Sequence, residues 1–255
     1  MTLTQACFLF LSALLSGVLN AVAGGGGLIV FPSLLIAGLP PMSANATSTL
    51  ASWPGLLASI GAYRTELQAI PRLCLLFGSV SVVGGMIGAI LLLSTPTAVF
   101  KHLVPYLLLL ATLLFTFSNS LTTQLPVILA GAGRDTWPSL LKASFIQFFI
   151  AVYGGFYGLG ISFLILAALR MLGLKQIHQI NGLKILLMSC IDSLAVVSFA
   201  IAGIVAWPQA ALMMLGTVSG GYAGAYYAQK LNPLWVRRFV IAVGFGMTSY
   251  FFFHK

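Results

Sequence analysis

Three carboxylates occur in 255 residues, and two of them, Glu66 and Asp135, fall in polar connections. The third, Asp192, stands in the middle of an apolar run. An ionisable group at membrane depth is costly, which makes Asp192 a candidate for coupling a proton or ion to a function there. Lys184, Met188 and Asp192 follow one another at i, i+4 and i+8, on broadly one helix face. That spacing sets the cation and the acid about 12 Å apart along the axis, too far for direct contact. The simpler alternatives are a lysine that snorkels to the interface and an acid hydrogen-bonded to a neighbouring helix. Short polar side chains form a second group: Asn20, then Asn45, Thr47, Ser48 and Thr49, then Asn181. Catalytic patterns are missing. No HExxH, GxSxG or Cys/His cluster is present, and Cys7, Cys74 and Cys190 stand isolated with neither metal-ligand nor disulfide spacing. We expect no enzyme, no metal and no cofactor.

The elements that must carry these residues follow from composition. The chain is 60% apolar and 6% charged, with mean hydropathy +1.06. A soluble domain carries about 25% charged residues, so a water-facing surface cannot be built from this set. Apolar windows between turn signals give spans near 4–36, 44–63, 72–94, 99–118, 139–169, 182–205, 208–229 and 234–253, each about what crossing a bilayer requires or longer. The fold class is all-α, a multi-pass membrane protein of about eight transmembrane helices. Met1 to Ala6 holds no Lys or Arg, so the first apolar run reads as a retained helix despite its Ala21-Val22-Ala23 end.

Two of the spans are too long. Residues 4–36 hold no charge and would make about 50 Å of helix against a hydrocarbon core of about 30 Å. Each long span contains a glycine break: Asn20-Ala21-Val22-Ala23-Gly24-Gly25-Gly26-Gly27 in the first, Gly154-Gly155-Phe156-Tyr157-Gly158-Leu159-Gly160 in the second. Four glycines in a row cost a helix about 1 kcal/mol each relative to Ala. Backbone freed at that depth must be buried in protein or line a wet cavity. A half-helix restarting near Leu28 would aim its free N–H groups and positive dipole end at that cavity, a geometry suited to an anion. The tetraglycine is no phosphate-binding P-loop, since no Gly-Lys-Ser/Thr follows. We therefore name Asn20, Gly24, Gly25, Gly26, Gly27, Asn45, Thr47, Ser48, Gly158, Gly160, Asn181 and Lys184 as candidate anion contacts lining one cavity.

The chain also repeats itself. Gly84-Gly85-Met86-Ile87-Gly88-Ala89 recurs 136 residues later as Gly220-Gly221-Tyr222-Ala223-Gly224-Ala225, and at that offset Asn45 meets Asn181, Lys101 meets Arg237 and Phe115 meets Phe251. With one residue less, Gly25 meets Gly160. The expected organisation is one membrane domain of two four-helix repeats, 1–118 and 139–255, each with an interrupted first helix, joined by a linker at 119–138. Transporters are often built from such repeats, with the site between them. Four crossings per repeat is an even number, so the halves are expected to point the same way. The Gly84/Gly88 and Gly220/Gly224 patterns read as close helix packing.

The ordered set of Asn20-Ala-Val-Ala-Gly-Gly-Gly-Gly, Phe31-Pro32, Gly38-Leu-Pro-Pro-Met-Ser-Ala, Tyr63-Arg64, Asn181-x-x-Lys184, Gly203-Ile-Val-Ala-Trp207, Gly220-Gly221-x-x-Gly224-Ala225 and Arg237-Arg238 resembles the sulfite exporter TauE/SafE family along nearly the whole chain. The resemblance implies eight spans in two halves, and transport of sulfite, sulfonates or related small anions across a bacterial inner membrane. Expected partners are a small anionic substrate and the lipid bilayer, with a homo-oligomer left open. The net charge of +9 resides in loop lysines and arginines, so nucleic acid is not expected. On an eight-span count, the side bearing Lys101, Arg170, Lys175, Lys230, Arg237 and Arg238 would be cytoplasmic. A channel or a structural membrane partner are the competing functions.

Overall fold

The computed structural model describes residues 2–22, 25–124, 137–172, 174, 176–227 and 233–253, and among these every regular element is a helix. Eight helices are 20 residues or longer: α1 (Leu3–Val22), α3 (Pro41–Ala62), α5 (Pro71–Ser94), α6 (Thr97–Gln124), α7 (Trp137–Phe156), α9 (Ile177–Ile201), α10 (Trp207–Tyr227) and α11 (Pro233–Phe253). Between them lie two half-helices, α2 (Gly27–Ile36) and α8 (Ile161–Met171), and a short surface turn of helix, α4 (Arg64–Gln68). Four of the long helices have stretches apolar and long enough to cross a membrane by composition alone: Leu3–Asn20, Pro71–Ser94, Thr97–Phe117 and His178–Ile201. The chain is a polytopic all-α membrane protein, and both long spans are interrupted where glycine is dense. Proline opens α3 and α5, where its missing N–H costs no helical bond.

At each interruption the chain reverses. By Gly26 it has returned to the level of Ser16 and Asn20 of α1, and the N–H of Gly26 donates to Asn20 Oδ1 at 2.9 Å. After α7, Ile161 lies back against Gly154, and the hydroxyl of Tyr153 donates to the carbonyl of Leu159 at 2.8 Å. Each half is therefore five elements: α1, α2, α3, α5 and α6, then α7, α8, α9, α10 and α11.

Helix directions follow from paired contacts. Gly216 packs on Phe10 and Ala13 while Gly220 packs on Leu14, so α1 and α10 run parallel. Gly84 packs on Phe148 and Ala151 while Gly88 packs on Val152 and Gly155, so α5 and α7 run parallel. Against these, α3 is antiparallel to α9: the N–H of Ala206 donates to Thr47 Oγ1, Trp53 Nε1–H donates to the carbonyl of Ser189, and Tyr63 touches Gly182. Helix α6 is antiparallel to α11, through Tyr106 with Phe252 and Thr112 with Gly244. Since α10 follows α9 through a tight turn and α5 follows α3, α1 runs opposite to α7. The halves are inverted, which corrects the expectation that they point the same way. That expectation counted four crossings; the reversal adds a fifth element, and an odd count inverts.

The halves also interlock, since the first helix of each lies along the fourth element of the other. One large apolar cluster gathers Leu28, Phe31, Phe100, Phe115, Tyr157 and Phe199 from both halves. A second joins α5, α7, α8 and α9 around Phe77, Ile161, Leu187 and Ile191. Where the first helices meet their partners, backbones touch. A Cβ on Gly88 would meet the backbone of Val152 and Phe156, and one on Gly220 would meet that of Leu14. Gly221 has open space beside it, so within that pattern only some glycines are required for packing. Overpacking costs about 1–3 kcal/mol. Gly88→Ala is thus expected to lower the apparent melting temperature of the purified protein by several degrees, with Gly221→Ala unchanged. Equal melting of the two variants would contradict the close crossing. On a background in which Cys7, Cys74 and Cys190 are replaced by serine, Thr97→Cys and Arg237→Cys should react with an impermeant thiol reagent from opposite sides of the membrane.

Candidate functional site

The two reversals meet. Gly27, the first residue of α2, abuts the side chain of Leu159, two residues before α8 begins. Helix α6 passes both, with Phe115 against Gly25 and Ala111 against Gly160. Gly25 has φ +102° and Gly160 φ +78°, a left-handed backbone that any other residue would strain. From this point α8 runs parallel to α6, with Phe163 on Phe115, whereas α2 runs the other way until Leu35 nears Lys101 and Val104. The two half-helices begin together and diverge, so both positive dipole ends lie at one place inside the protein. Each end carries the equivalent of roughly +0.5 charge. The N–H of Ser162, in the first turn of α8, meets no partner among the described residues.

Polar side chains hold this crossing in shape. Asn45 is 1% exposed, and its Nδ2 donates to the carbonyl of Phe156, the last residue of α7. The carbonyl of Asn45 accepts from Ser48 Oγ at 2.9 Å and Thr49 Oγ1 at 3.0 Å. Thr47 is fully buried and caps the turn between α9 and α10 through Ala206. Asn20 closes the first reversal as described. Among the described residues, three buried polar atoms near the reversals find no partner: Ser16 Oγ, beside Gly26, Asn45 Oδ1 and Tyr157 Oη. A buried unpaired polar group costs about 1–3 kcal/mol, and these sit where the backbone is broken. Tyr157, which the sequence reading passed over, packs its ring edge-on to Phe31 at 5.4 Å and lies 6.3 Å from Phe100. An aromatic between two glycines of an unwound segment was its one visible signal.

The other candidates separate. Because α3 and α9 are antiparallel, Asn45 lies toward the Ala206 end of the pair, and Asn181 and Lys184 lie toward the Tyr63 end, beside Gly182. At 1.5 Å per residue the separation is roughly 25 Å. Matched positions in the two halves therefore do not line one pocket, which corrects the reading of a single cavity shared by Asn45, Thr47, Ser48, Asn181 and Lys184. Gly25, Gly26, Gly27, Gly158, Gly160 and Asn45 do come together; Thr47 and Ser48 support them from α3. Gly24 lies outside the described residues. Lys184 and Asp192 are half-buried, and neither forms a hydrogen bond or ion pair with another described residue. Glu66, exposed on α4, accepts from Thr65 Oγ1, which holds its carboxyl below the usual carboxylate range. Among the described residues no three His, Cys, Asp or Glu side chains gather.

Removing the amide of Asn45 would leave the Phe156 carbonyl unpaired in a dry setting. Asn45→Ala should therefore lower stability by about 1–3 kcal/mol, and Tyr153→Phe, which frees the Leu159 carbonyl, should do so too. Melting of both variants at the wild-type temperature would show that the reversal does not depend on these bonds.

The family model for the sulfite exporter TauE/SafE matches residues 9–251. A "Probable membrane transporter protein" of Haemophilus influenzae is 29% identical over 244 residues, covering 94% of this chain and 92% of that protein. "Probable membrane transporter protein ORF9" of Sinorhizobium sp is 27% identical over 242 residues, covering 94% and 89%. "Probable membrane transporter protein YfcA" of Escherichia coli K12 is 26% identical over 252 residues, covering 94% and 87%. No solved structure gives a significant match.

Proposed function

We propose that this chain, which belongs to the sulfite exporter TauE/SafE family, is a secondary transporter whose substrate is a small anion, sulfite or a sulfonate among them, bound where α2 and α8 begin. The observation that carries the reading is the meeting of two helix N-termini at Gly27 and Leu159. Backbone donors and paired dipoles favour negative charge without requiring a buried cation. Opposed half-helices within inverted repeats are a common setting for transported solutes. The matched glycines and asparagines of 1–118 and 139–255 support a duplication as the origin of the two halves. Asp192, an acid within α9 that meets no partner among the described residues, is the proposed coupling group.

The inverted arrangement sharpens the orientation. Arg64, Arg72, Lys142, Arg170, Lys184, Arg237 and Arg238 all belong to the end at which α5 begins, and among the described residues Lys101 is the one lysine or arginine toward the other end. By the charge bias of membrane proteins, the first end faces the cytoplasm of a bacterial inner membrane. The N-terminal end of α1 and the C-terminal end of α11 then face outward.

Flux of sulfite and methanesulfonate into liposomes holding the purified protein tests the reading. Saturable counterflow is expected in the wild type. Gly27→Val and Gly160→Val, which put a side chain into the crossing, should cut it at least tenfold, and Asp192→Asn should alter its pH dependence. Lys184→Met should leave substrate affinity within about twofold, because the lysine lies away from the crossing. Wild-type flux in both glycine variants would move the site elsewhere, and single-channel conductance in place of saturation would make the protein a pore.

A further inference from the structure

A cavity of about 170 Å³ opens at the outward end, where Leu35 of α2, Pro41 of α3 and Phe251 of α11 face Lys101, His102 and Val104 of α6. Its walls are largely apolar, and its two basic side chains are exposed. His102 keeps its Nδ1 3.1 Å from the carbonyl of Ala98, one turn back on α6, and its Nε2 meets no partner among the described residues. Lys101 is the one described lysine or arginine toward this end of the molecule, and it borders the cavity. A dry cavity of about 150 Å³ accommodates benzene, so this space is of single-ring size. We propose that it is an outer binding site for an organic anion with an apolar body of about one ring, such as an arylsulfonate, whose charged group pairs with Lys101.

The cavity is aligned with the central crossing. Leu35 lies one turn outward of Phe31 on α2, Val104 lies two turns outward of Ala111 on α6, and the ring of Tyr157 packs on Phe31. Along α2, Phe31 with the ring of Tyr157 against it therefore lies between the half-helix start at Gly27 and the cavity at Leu35. Calling the site an outer station of the transport path rests on the function proposed above. The binding site itself stands on the cavity and its charge.

The same carrier of charge and apolar surface could be a free anion or an anionic lipid, and titration separates them. The full chain in phosphatidylcholine nanodiscs is titrated calorimetrically with benzenesulfonate, and separately prepared in nanodiscs containing phosphatidylglycerol. Saturable benzenesulfonate binding is expected, weakened at least tenfold in Lys101→Gln, lost in Lys101→Glu, restored in Lys101→Arg, and little changed by phosphatidylglycerol. Lys101 is exposed, so none of these variants threatens folding. No binding by the wild type, equal binding by the charge variants, or binding abolished by phosphatidylglycerol would overturn the proposal. Sulfite flux measured on the same preparations reads the transport function independently. Flux without benzenesulfonate binding overturns the outer site alone, and binding without flux supports the site while removing the transport reading.

Discussion

Backbone that leaves a helix inside a membrane has no water to bond with, and the architecture of this protein is an answer to that constraint at two places. At Gly25–Gly27 and Tyr157–Gly160 the chain turns back, and each turn finds its partners on other elements. Asn20 supplies an acceptor to Gly26, Tyr153 a donor to Leu159, and Asn45 a donor from α3 to the end of α7. What finds no partner among the described residues near the reversals is the N–H of Ser162 together with Ser16 Oγ, Asn45 Oδ1 and Tyr157 Oη. A polar interior of that kind is tolerable where a hydrated or charged solute is to be received.

The second requirement is proximity. To bring two reversals to one point, α1 must lie hard against α10 and α7 hard against α5, closer than side chains permit. Glycines at 17, 84, 88, 216 and 220 answer that need with backbone-to-backbone contact, and the small-residue logic of membrane helix packing applies directly. Interhelical hydrogen bonds then fix the register between elements: Gln147 Nε2 donates to Ser81 Oγ across α5 and α7, and Thr217 Oγ1 donates to the carbonyl of Ala51 across α3 and α10.

Much of the fold was legible in the sequence because it depends on length and on glycine. The two overlong spans had to break, and the density of glycine at 24–27 and 154–160 said where. Direction was not legible. A glycine-rich break reads the same whether the chain continues across the membrane or returns, and only the third-dimensional partners, Ser16 for Gly26 and Gly154 for Ile161, distinguish the cases. That one ambiguity propagated. It inverted the relation of the halves, moved Lys101 and Arg237 to opposite ends, and sent Asn45 and Asn181 apart although their sequence positions match. Asn45 was visible as a buried amide, but its task of holding Phe156 depends on a residue 111 positions away. Tyr157 was passed over because an aromatic in an apolar chain looks like core, and by ring contacts it is core; its hydroxyl is what differs.

The interlocking of α1 with α10 has a consequence for biogenesis. Gly17 and Thr217, which touch in the finished protein, are separated by 200 residues of synthesis. At ribosomal speeds of about 5–20 residues per second, roughly 10–40 s pass before α1 can meet its partner. During that interval Ser12 and Ser16, both buried at the end of assembly, face lipid or an insertion chaperone. The first half is therefore inserted as an unfinished structure, and the nascent chain reaches its native packing only when the last helices arrive to close around the first.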